Sequence, residues 1–153
     1  MLITRRITRN PNASWIKQIA RNVTDPDTGF LLGIRYLIMD RDTIFTVEYR
    51  EFLKCEGIKA LRLPPPSPNL NAHAERFVRT IKESCLNRMI FFGEQSLRTA
   101  IDEFMQHYHH ERNHQGLSNH LIDPIEGVGV NNGLIACRHR LGGLLQYYYR
   151  QAA

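Results

Sequence analysis

The sequence has few cysteines and no long apolar run. Its three cysteines, Cys55, Cys85 and Cys137, are odd in number and far apart. This pattern argues against a disulfide framework or a zinc finger and favours a reducing compartment. The longest apolar stretches, such as residues 30–34, are too short to span a bilayer, and the N-terminus shows no apolar segment followed by a small-residue cleavage site. We therefore expect neither a membrane partner nor a secretory signal.

The composition is that of a folded protein with a basic balance. Its 153 residues are 42% hydrophobic and 23% charged, which fits one domain with a core of ordinary size. The formal net charge is +5, and such a charge favours a polyanionic partner, with nucleic acid first. Many basic proteins bind nothing acidic, so the charge alone does not decide between these possibilities.

The hydrophobic pattern predicts an α/β domain. Strands are expected over residues 2–9, 34–40 and 58–63, the second of them buried, and helices over residues 15–23, 47–56, 71–89 and 96–110. Thr46 is a suitable N-cap for the second helix. Strands and helices alternate over the first half of the chain, which favours parallel strand pairing. Prolines at residues 64–68 predict a stiff connector, and the glycine-rich end is expected to be an extended tail with one strand at most.

Two carboxylates stand in settings that suit phosphoryl transfer. Asp40 ends the apolar run at residues 35–40, and Glu75 lies early in a predicted helix, 35 positions later. A carboxylate at a strand end and another on a helix can together hold divalent metal ions. At helical spacing, Glu75 shares a stripe with Arg79 and Lys82. The predicted core face of that helix is a different one, made of Ala74, Phe77, Val78, Ile81 and Cys85.

Each of these carboxylates also has a structural interpretation. Asp40 could cap a turn after its strand, and Asp42, two residues later, could be the ligand in its place. Glu75 could form an exposed ion pair with Arg79, four residues along the helix.

The segments around both acids resemble the integrase catalytic core of DDE transposases and retroviral integrases, in particular bacterial insertion-sequence transposases. The likeness is carried by residues 37–46 (LIMDRDTIFT), 64–75 (PPPSPNLNAHAE), 79–86 (RTIKESCL) and 108–117 (YHHERNHQGL). The spacing between Asp40 and Glu75 is also similar to that of the family. The resemblance implies a ribonuclease-H-like core over residues 1–125, followed by a basic, aromatic tail over residues 126–153.

By this resemblance, Asp40 is the second metal-binding acid of the family and Glu75 the third, with Mg²⁺ or Mn²⁺ as the cofactor. The implied activity is metal-dependent cleavage and transfer of DNA strands. The implied partners are DNA and either further copies of the chain or a full-length transposase, in the cytoplasm of a bacterium and at the nucleoid when DNA is bound. The implied DNA-binding residues are Lys82, Arg79, Arg76 and Asn71.

The first acid of the family has no counterpart in the expected setting. Upstream of Asp40 the only acids are Asp25 and Asp27, in a loop by composition. Since residues 1–9 resemble the third strand of the family, we expect a core that lacks the first two strands, from a truncated or split reading frame. Activity is then expected to be impaired. The alternatives are a non-catalytic DNA-binding or oligomerisation remnant, or a pseudogene product.

Two further groups of residues have competing interpretations. His107, His109, His110 and His114 lack the partners of a metal site and are expected to be structural or DNA-facing. The tyrosines at residues 147–149 and the arginines near them, Arg138, Arg140 and Arg150, could stack on single-stranded nucleic acid. Packing of this tail on the domain is the favoured interpretation.

Overall fold

The computed structural model describes residues 7–64, 71–125 and 132–151. The chain divides into two compact units, residues 1–75 and 76–153. Each unit mixes helices and strands, in agreement with the predicted α/β class. The domain boundary that the resemblance places after residue 125 stays a prediction.

Within residues 7–64, the first unit forms two helices and two strands, and their local signals are strong. The elements are α1 (Ala13–Val23), β1 (Tyr36–Met39), α2 (Val47–Cys55) and β2 (Lys59–Arg62). The side chain of Asn12 accepts a hydrogen bond from the backbone N–H of Trp15 at 2.9 Å and so caps α1. Thr46 does the same for α2 by accepting from the N–H of Tyr49 at 3.3 Å, and the predicted cap is confirmed.

Strands β1 and β2 pair in parallel, as predicted, with Tyr36 opposite Lys59 and Met39 opposite Arg62. One face of this two-stranded sheet packs on the core of the unit. The other face leaves Tyr36 59% and Ile38 49% exposed. The prediction of a buried strand is therefore wrong, because an apolar run suggests burial on both faces and only one face is covered.

The core of the first unit lies between this sheet and the two helices. Trp15 packs against it from α1, as expected of the single tryptophan. Its fully buried members are Ile16, Ala20, Val23, Leu31, Met39, Tyr49, Leu53 and Ile58.

The second unit is built on α3 (Ala72–Ser84), whose first four residues belong to the first unit, and on α4 (Gly93–His110). Helix α3 ends five residues before the predicted residue 89. At Cys85 the backbone leaves the helical region (φ −134°, ψ −70°), and a short 3₁₀ turn, Leu86–Arg88, follows. The turn lets Leu86 and Met89 pack on the core of the unit, and this packing overrides the helical periodicity.

The C-terminal segment forms an antiparallel hairpin of β3 (Ile135–Arg140) and β4 (Leu145–Arg150). A 3₁₀ turn, Leu141–Gly143, joins the strands. The predicted tail with one strand at most is wrong, because each strand is short and is formed only by pairing with the other. The core of this unit combines Cys85, which directly follows α3, with residues of α4 and the hairpin, namely Ala100, Phe104, Met105, Leu141 and Leu145.

Some predictions fall on residues that the structure does not describe. Residues 2–6 of the first predicted strand lie outside the described residues, and residues 7–9 are not in a strand. The proline connector lies outside as well, except for Pro64. Within residues 7–64, 71–125 and 132–151, no helix is long and apolar enough to cross a membrane.

Candidate functional site

Asp40 is exposed and directly follows β1. Its neighbour Arg41 donates from Nε to the backbone carbonyl of Leu63 at 2.9 Å, and the N–H of Leu63 donates to the carbonyl of Met39 at 3.1 Å. These bonds tie the end of β1 to the end of β2. Asp40 therefore lies at the carboxyl edge of two parallel strands, where α/β folds commonly place their ligand sites.

The carboxylate of Asp40 has a structural role as well. Its Oδ1 accepts a hydrogen bond from the N–H of Asp42 at 3.1 Å, so Asp40 does cap a turn. Asp42 repeats the arrangement by accepting from the N–H of Ile44 at 3.0 Å. Oδ2 of Asp40 has no hydrogen-bond partner among the described residues. Both aspartates are exposed and keep a free oxygen, so the choice between Asp40 and Asp42 stays open.

Glu75 lies in the first turn of α3, and its side chain is exposed, like those of Arg79 and Lys82. Phe77 and Ile81 pack on the core from another side of the helix. The predicted separation of a charged stripe from an apolar face is therefore seen at these positions.

The core face predicted for α3 is wider than the face that is covered in the structure, since Val78 is 46% exposed and Ala74 is exposed as well. The sequence shows which side of a helix is apolar, but the neighbouring elements decide how much of that side is covered.

The ion-pair interpretation of Glu75 is not realised. Among the residues that the structure describes, no ion pair joins Glu75 to Arg79 or to any other cation. A carboxylate at the N-terminal end of a helix still interacts favourably with the helix dipole, and this interaction stabilises the helix by about 0.3–1 kcal/mol. This contribution leaves both carboxylate oxygens of Glu75 available to a ligand.

The other predicted DNA-binding residues surround Glu75. Asn71 directly precedes α3 and is half-buried, and Arg76 is exposed. In the described part of the chain, Arg76, Arg79 and Lys82 form no ion pair with a carboxylate. Three uncompensated cations within two turns of helix are suited to phosphate groups.

The residues that could hold a metal ion are few. No group of three or more His, Cys, Asp or Glu side chains is arranged to bind one within residues 7–64, 71–125 and 132–151. Asp40 and Glu75 are both oxygen ligands, and Mg²⁺ is commonly held by one or two carboxylates together with substrate phosphates. The donor set thus fits a Mg²⁺ ion that substrate helps to bind, and does not fit a closed structural site.

A cluster that the sequence did not predict surrounds Glu111, at the C-terminal end of α4. Its side chain is only 1% exposed. Arg140 donates to both of its oxygens, at 2.9 and 2.7 Å, and Arg138 donates to Oε1 at 3.1 Å. His107 lies one helical turn earlier, with Nδ1 3.2 Å from Oε2. We call these four residues the Glu111 cluster.

Burial and hydrogen bonding have opposite effects on the pKa values of this cluster. Burial would raise the pKa of Glu111, but the hydrogen bonds from Arg140, Arg138 and His107 outweigh it and hold the pKa at about 2. Burial lowers the pKa of His107 despite the nearby carboxylate. The four-residue spacing of His107 and Glu111, and the alternation of Arg138 and Arg140 on one strand face, are the only sequence signals of the cluster.

The remaining histidines have structural partners. His110 contacts the backbone carbonyl of Asp123 through Nδ1 at 2.7 Å, and His114 contacts that of Tyr108 through Nε2 at 2.9 Å. These contacts agree with the expectation of structural roles for His110 and His114.

A depression of about 390 Å³ lies beside α2 and β2 in the first unit. Its lining includes Arg50, Lys54 and Lys59, together with Glu51. None of its lining residues is a predicted metal or DNA ligand.

Comparison with known proteins gives one family match, which covers the central segment of the chain. Residues 56–120 match the family model described as integrase core domain. The match includes Glu75 and the cations of α3, and it supports an integrase or transposase catalytic core. No curated protein and no solved structure gives a significant match. The predicted resemblance is confirmed by the family model.

Proposed function

We propose that the chain acts in DNA transposition or integration, within a DDE-type catalytic core that cleaves and transfers DNA strands with Mg²⁺ or Mn²⁺. The match of residues 56–120 to the integrase core domain carries this proposal. It is supported by the exposed carboxylate of Glu75 next to uncompensated cations on α3, and by Asp40 at the carboxyl edge of the sheet.

In this proposal, Asp40 and Glu75 would hold the metal ion. When bound, the metal polarises the phosphodiester and stabilises the attacking and leaving oxygens. Arg76, Arg79 and Lys82 would bind DNA phosphates and so orient the strand. Asn71, at the start of α3, would donate its side-chain amide to a phosphate or sugar oxygen.

We further propose that the chain alone is a poor catalyst. Asp25, one of two acids that precede Asp40, is committed to its loop. Its Oδ1 accepts from the N–H and the hydroxyl of Thr28, both at 2.9 Å, and from the N–H of Asp27 at 3.1 Å. These hydrogen bonds, led by the Thr28 hydroxyl, lower the pKa of Asp25. A third carboxylate would then come from a partner, such as a full-length transposase.

A second candidate function is DNA binding or oligomerisation without catalysis. It is favoured by one observation, namely that no three-acid group exists among the described residues. Strand cleavage by the purified chain would exclude it. Cleavage that appears only after a full-length relative is added would support the need for a partner carboxylate.

The first test is thermal unfolding of the chain, followed by circular dichroism with and without Mg²⁺ and duplex DNA. Mg²⁺ should raise the melting temperature, since a ligand that binds only the folded state stabilises it. The rise should be lost in Asp40→Asn and in Glu75→Gln. Glu83→Gln is the matched control, because Glu83 is an exposed glutamate on the same helix. Loss of the rise in Asp42→Asn, with Asp40→Asn unaffected, would assign the ligand to Asp42.

The DNA-binding residues are tested by the salt dependence of duplex binding. Each phosphate contact contributes about 0.9 to the slope of log affinity against log salt concentration. Arg79→Gln and Lys82→Gln should each reduce the slope by about this amount. Arg21→Gln removes an exposed arginine from α1 and should leave the slope unchanged. Equal slopes in all variants would count against a phosphate-binding role for α3.

A further inference from the structure

The two faces of the C-terminal hairpin differ in what they contact. On the inner face, Arg138 and Arg140 reach Glu111, and Leu145 enters the core. The outer face carries the alternate residues, of which Ile135 is 66% and Tyr148 65% exposed. The other members of the outer face are Cys137, His139, Gln146 and Arg150, and Cys137 and Tyr148 are directly paired across the strands. In the described part of the chain, no element packs on this outer face.

The charge of the hairpin is of one sign. Residues 127–153 contain three arginines and no aspartate or glutamate. Two of the arginines share the single carboxylate of Glu111, so this ion-pair group keeps one excess positive charge. The third, Arg150, donates to the backbone carbonyl of Gly133 at 2.9 Å and has no carboxylate partner among the described residues. The surface is therefore complementary to an anion.

Tyr148 is exposed and makes one side-chain hydrogen bond on the outer face. Its hydroxyl donates to Oε1 of Gln146, two residues earlier on the same face, at 3.1 Å. Arg150 lies two residues later on that face. An exposed aromatic ring next to a cation that has no carboxylate partner among the described residues is a combination that binds unpaired nucleotides. The ring stacks on a base and the cation contacts the phosphate.

We propose that the outer face of the hairpin binds single-stranded nucleic acid, with Tyr148 stacking on a base and Arg150 contacting the adjacent phosphate. This proposal depends on the proposed function in one respect, namely that the partner is a nucleic acid. A single strand is favoured over a duplex because the base faces of a duplex are covered by neighbouring pairs and offer nothing to a tyrosine ring. The other tyrosines of the hairpin, Tyr147 and Tyr149, are half-buried and stack on one another at 5.6 Å, so they support the inner face.

The test is fluorescence anisotropy of a labelled oligothymidylate of about 12 nucleotides, within the site sizes usual for single-strand binding surfaces. The full chain is titrated at low salt in the presence of EDTA, so that metal binding cannot contribute. Tyr148→Ala should weaken binding by about 5-fold or more, the lower end of what one stacked base contributes. Tyr148→Phe should bind like the wild type. Arg150→Gln should reduce the salt slope by about 0.7.

Two residues of the first unit provide matched controls. Tyr36 is exposed to nearly the same extent as Tyr148, and Arg35 is exposed beside it. Tyr36→Ala and Arg35→Gln should leave oligonucleotide binding unchanged. Circular dichroism of each variant checks that the hairpin variants remain folded, and Tyr148→Phe separates a loss of stacking from a loss of structure.

The proposal is overturned if Tyr148→Ala binds the oligonucleotide as the wild type does, or if Tyr36→Ala weakens binding equally. It is also overturned if a duplex with closed ends competes as well as the single strand. These outcomes are separable from failure of the proposed function. A chain that does not respond to Mg²⁺ but still needs Tyr148 for oligonucleotide binding would contradict only the assignment of Asp40 and Glu75.

Discussion

Arg140 binds Glu111 through two parallel hydrogen bonds, Nε to Oε2 at 2.9 Å and Nη2 to Oε1 at 2.7 Å. This two-point geometry is the strongest form of the arginine–carboxylate pair. The two residues are 29 positions apart, so the pair fastens β3 to the end of α4. It thereby fixes the inner face of the hairpin and leaves the outer face free.

Removing the charge of Glu111 should destabilise the second unit strongly. In Glu111→Gln, two guanidinium groups lose the only carboxylate that they bind among the described residues. Breaking a buried pair in this way costs about 3–5 kcal/mol. Urea unfolding followed by circular dichroism measures the loss. Glu94→Gln removes an exposed partner of Arg98 from the same helix and should cost about 0.5 kcal/mol or less. Similar losses in the two variants would show that the Glu111 cluster contributes little.

The pH dependence of stability should have two stages. Burial lowers the pKa of His107 in the folded chain below its ordinary value of 6.5. The unfolded chain therefore takes up a proton first, and stability falls as the pH drops below 6.5. Burial also lowers the pKa of His109, so this residue too makes the stability fall as the pH drops. The stability that Glu111 contributes is complete above pH 4.5 and is lost as the pH falls towards about 2.

Urea unfolding at a series of pH values measures both stages. His107→Gln should reduce the change near pH 6.5, since the variant has no imidazole to protonate, and should leave the acidic stage in place. If the free energy of unfolding changed near pH 6.5 by the same amount in this variant and in the wild type, the lowered pKa of His107 would be contradicted.

The cap of α2 should contribute to the stability of the first unit. Thr46→Ala leaves the N–H of Tyr49 without its side-chain acceptor and should cost about 1 kcal/mol. Fluorescence of Trp15, the only tryptophan, reports unfolding of this unit. Thr43→Ala is the control, because the exposed side chain of Thr43 makes no hydrogen bond among the described residues. Equal urea midpoints for the two variants would contradict a capping role.

A side chain at Gly133 should prevent the hairpin from closing. Gly133 has φ of +106°, and a Cβ there would lie 1.9 Å from the backbone oxygen of Gln151. Gly142 has φ of +65°, but a Cβ there would meet no atom within 4 Å. Gly142→Ala should therefore cost only the left-handed penalty of about 1–2 kcal/mol. Gly133→Ala should cost clearly more in urea unfolding, and equal losses would show that the contact at Gln151 relaxes easily.

The elements that could be predicted from the sequence are those with local signals. Helices α1, α2 and α4 each carry an apolar stripe, and Thr46 is a capping residue by type. The parallel pairing of β1 and β2 could be predicted because a helix connects the two strands, and a helical connection between neighbouring strands favours parallel pairing. The exposed charged stripe of Glu75, Arg79 and Lys82 followed from helical spacing alone.

Predictions failed where a distant segment decided the outcome. The end of α3 at Ser84 depends on packing of the following turn against the core of its unit. The exposure of Tyr36 and Ile38 depends on which face of the sheet is covered. For Arg138 and Arg140 the sequence left nucleic-acid contact and packing on the domain open, with packing favoured, and their ion pairs with Glu111 agree with packing.

By itself, the sequence determined the helices α1, α2 and α4, the cap of α2 at Thr46 and the motif that the integrase core family model recognises, because each depends on residues a few positions apart. Only the tertiary structure decided that the C-terminal segment forms a hairpin, which tyrosine of the hairpin is exposed, and that Glu111 is a buried ion-pair partner. The physical reason is that strand pairing and a buried ion pair join residues far apart in the chain, and no local pattern of side chains specifies which distant partner will be met.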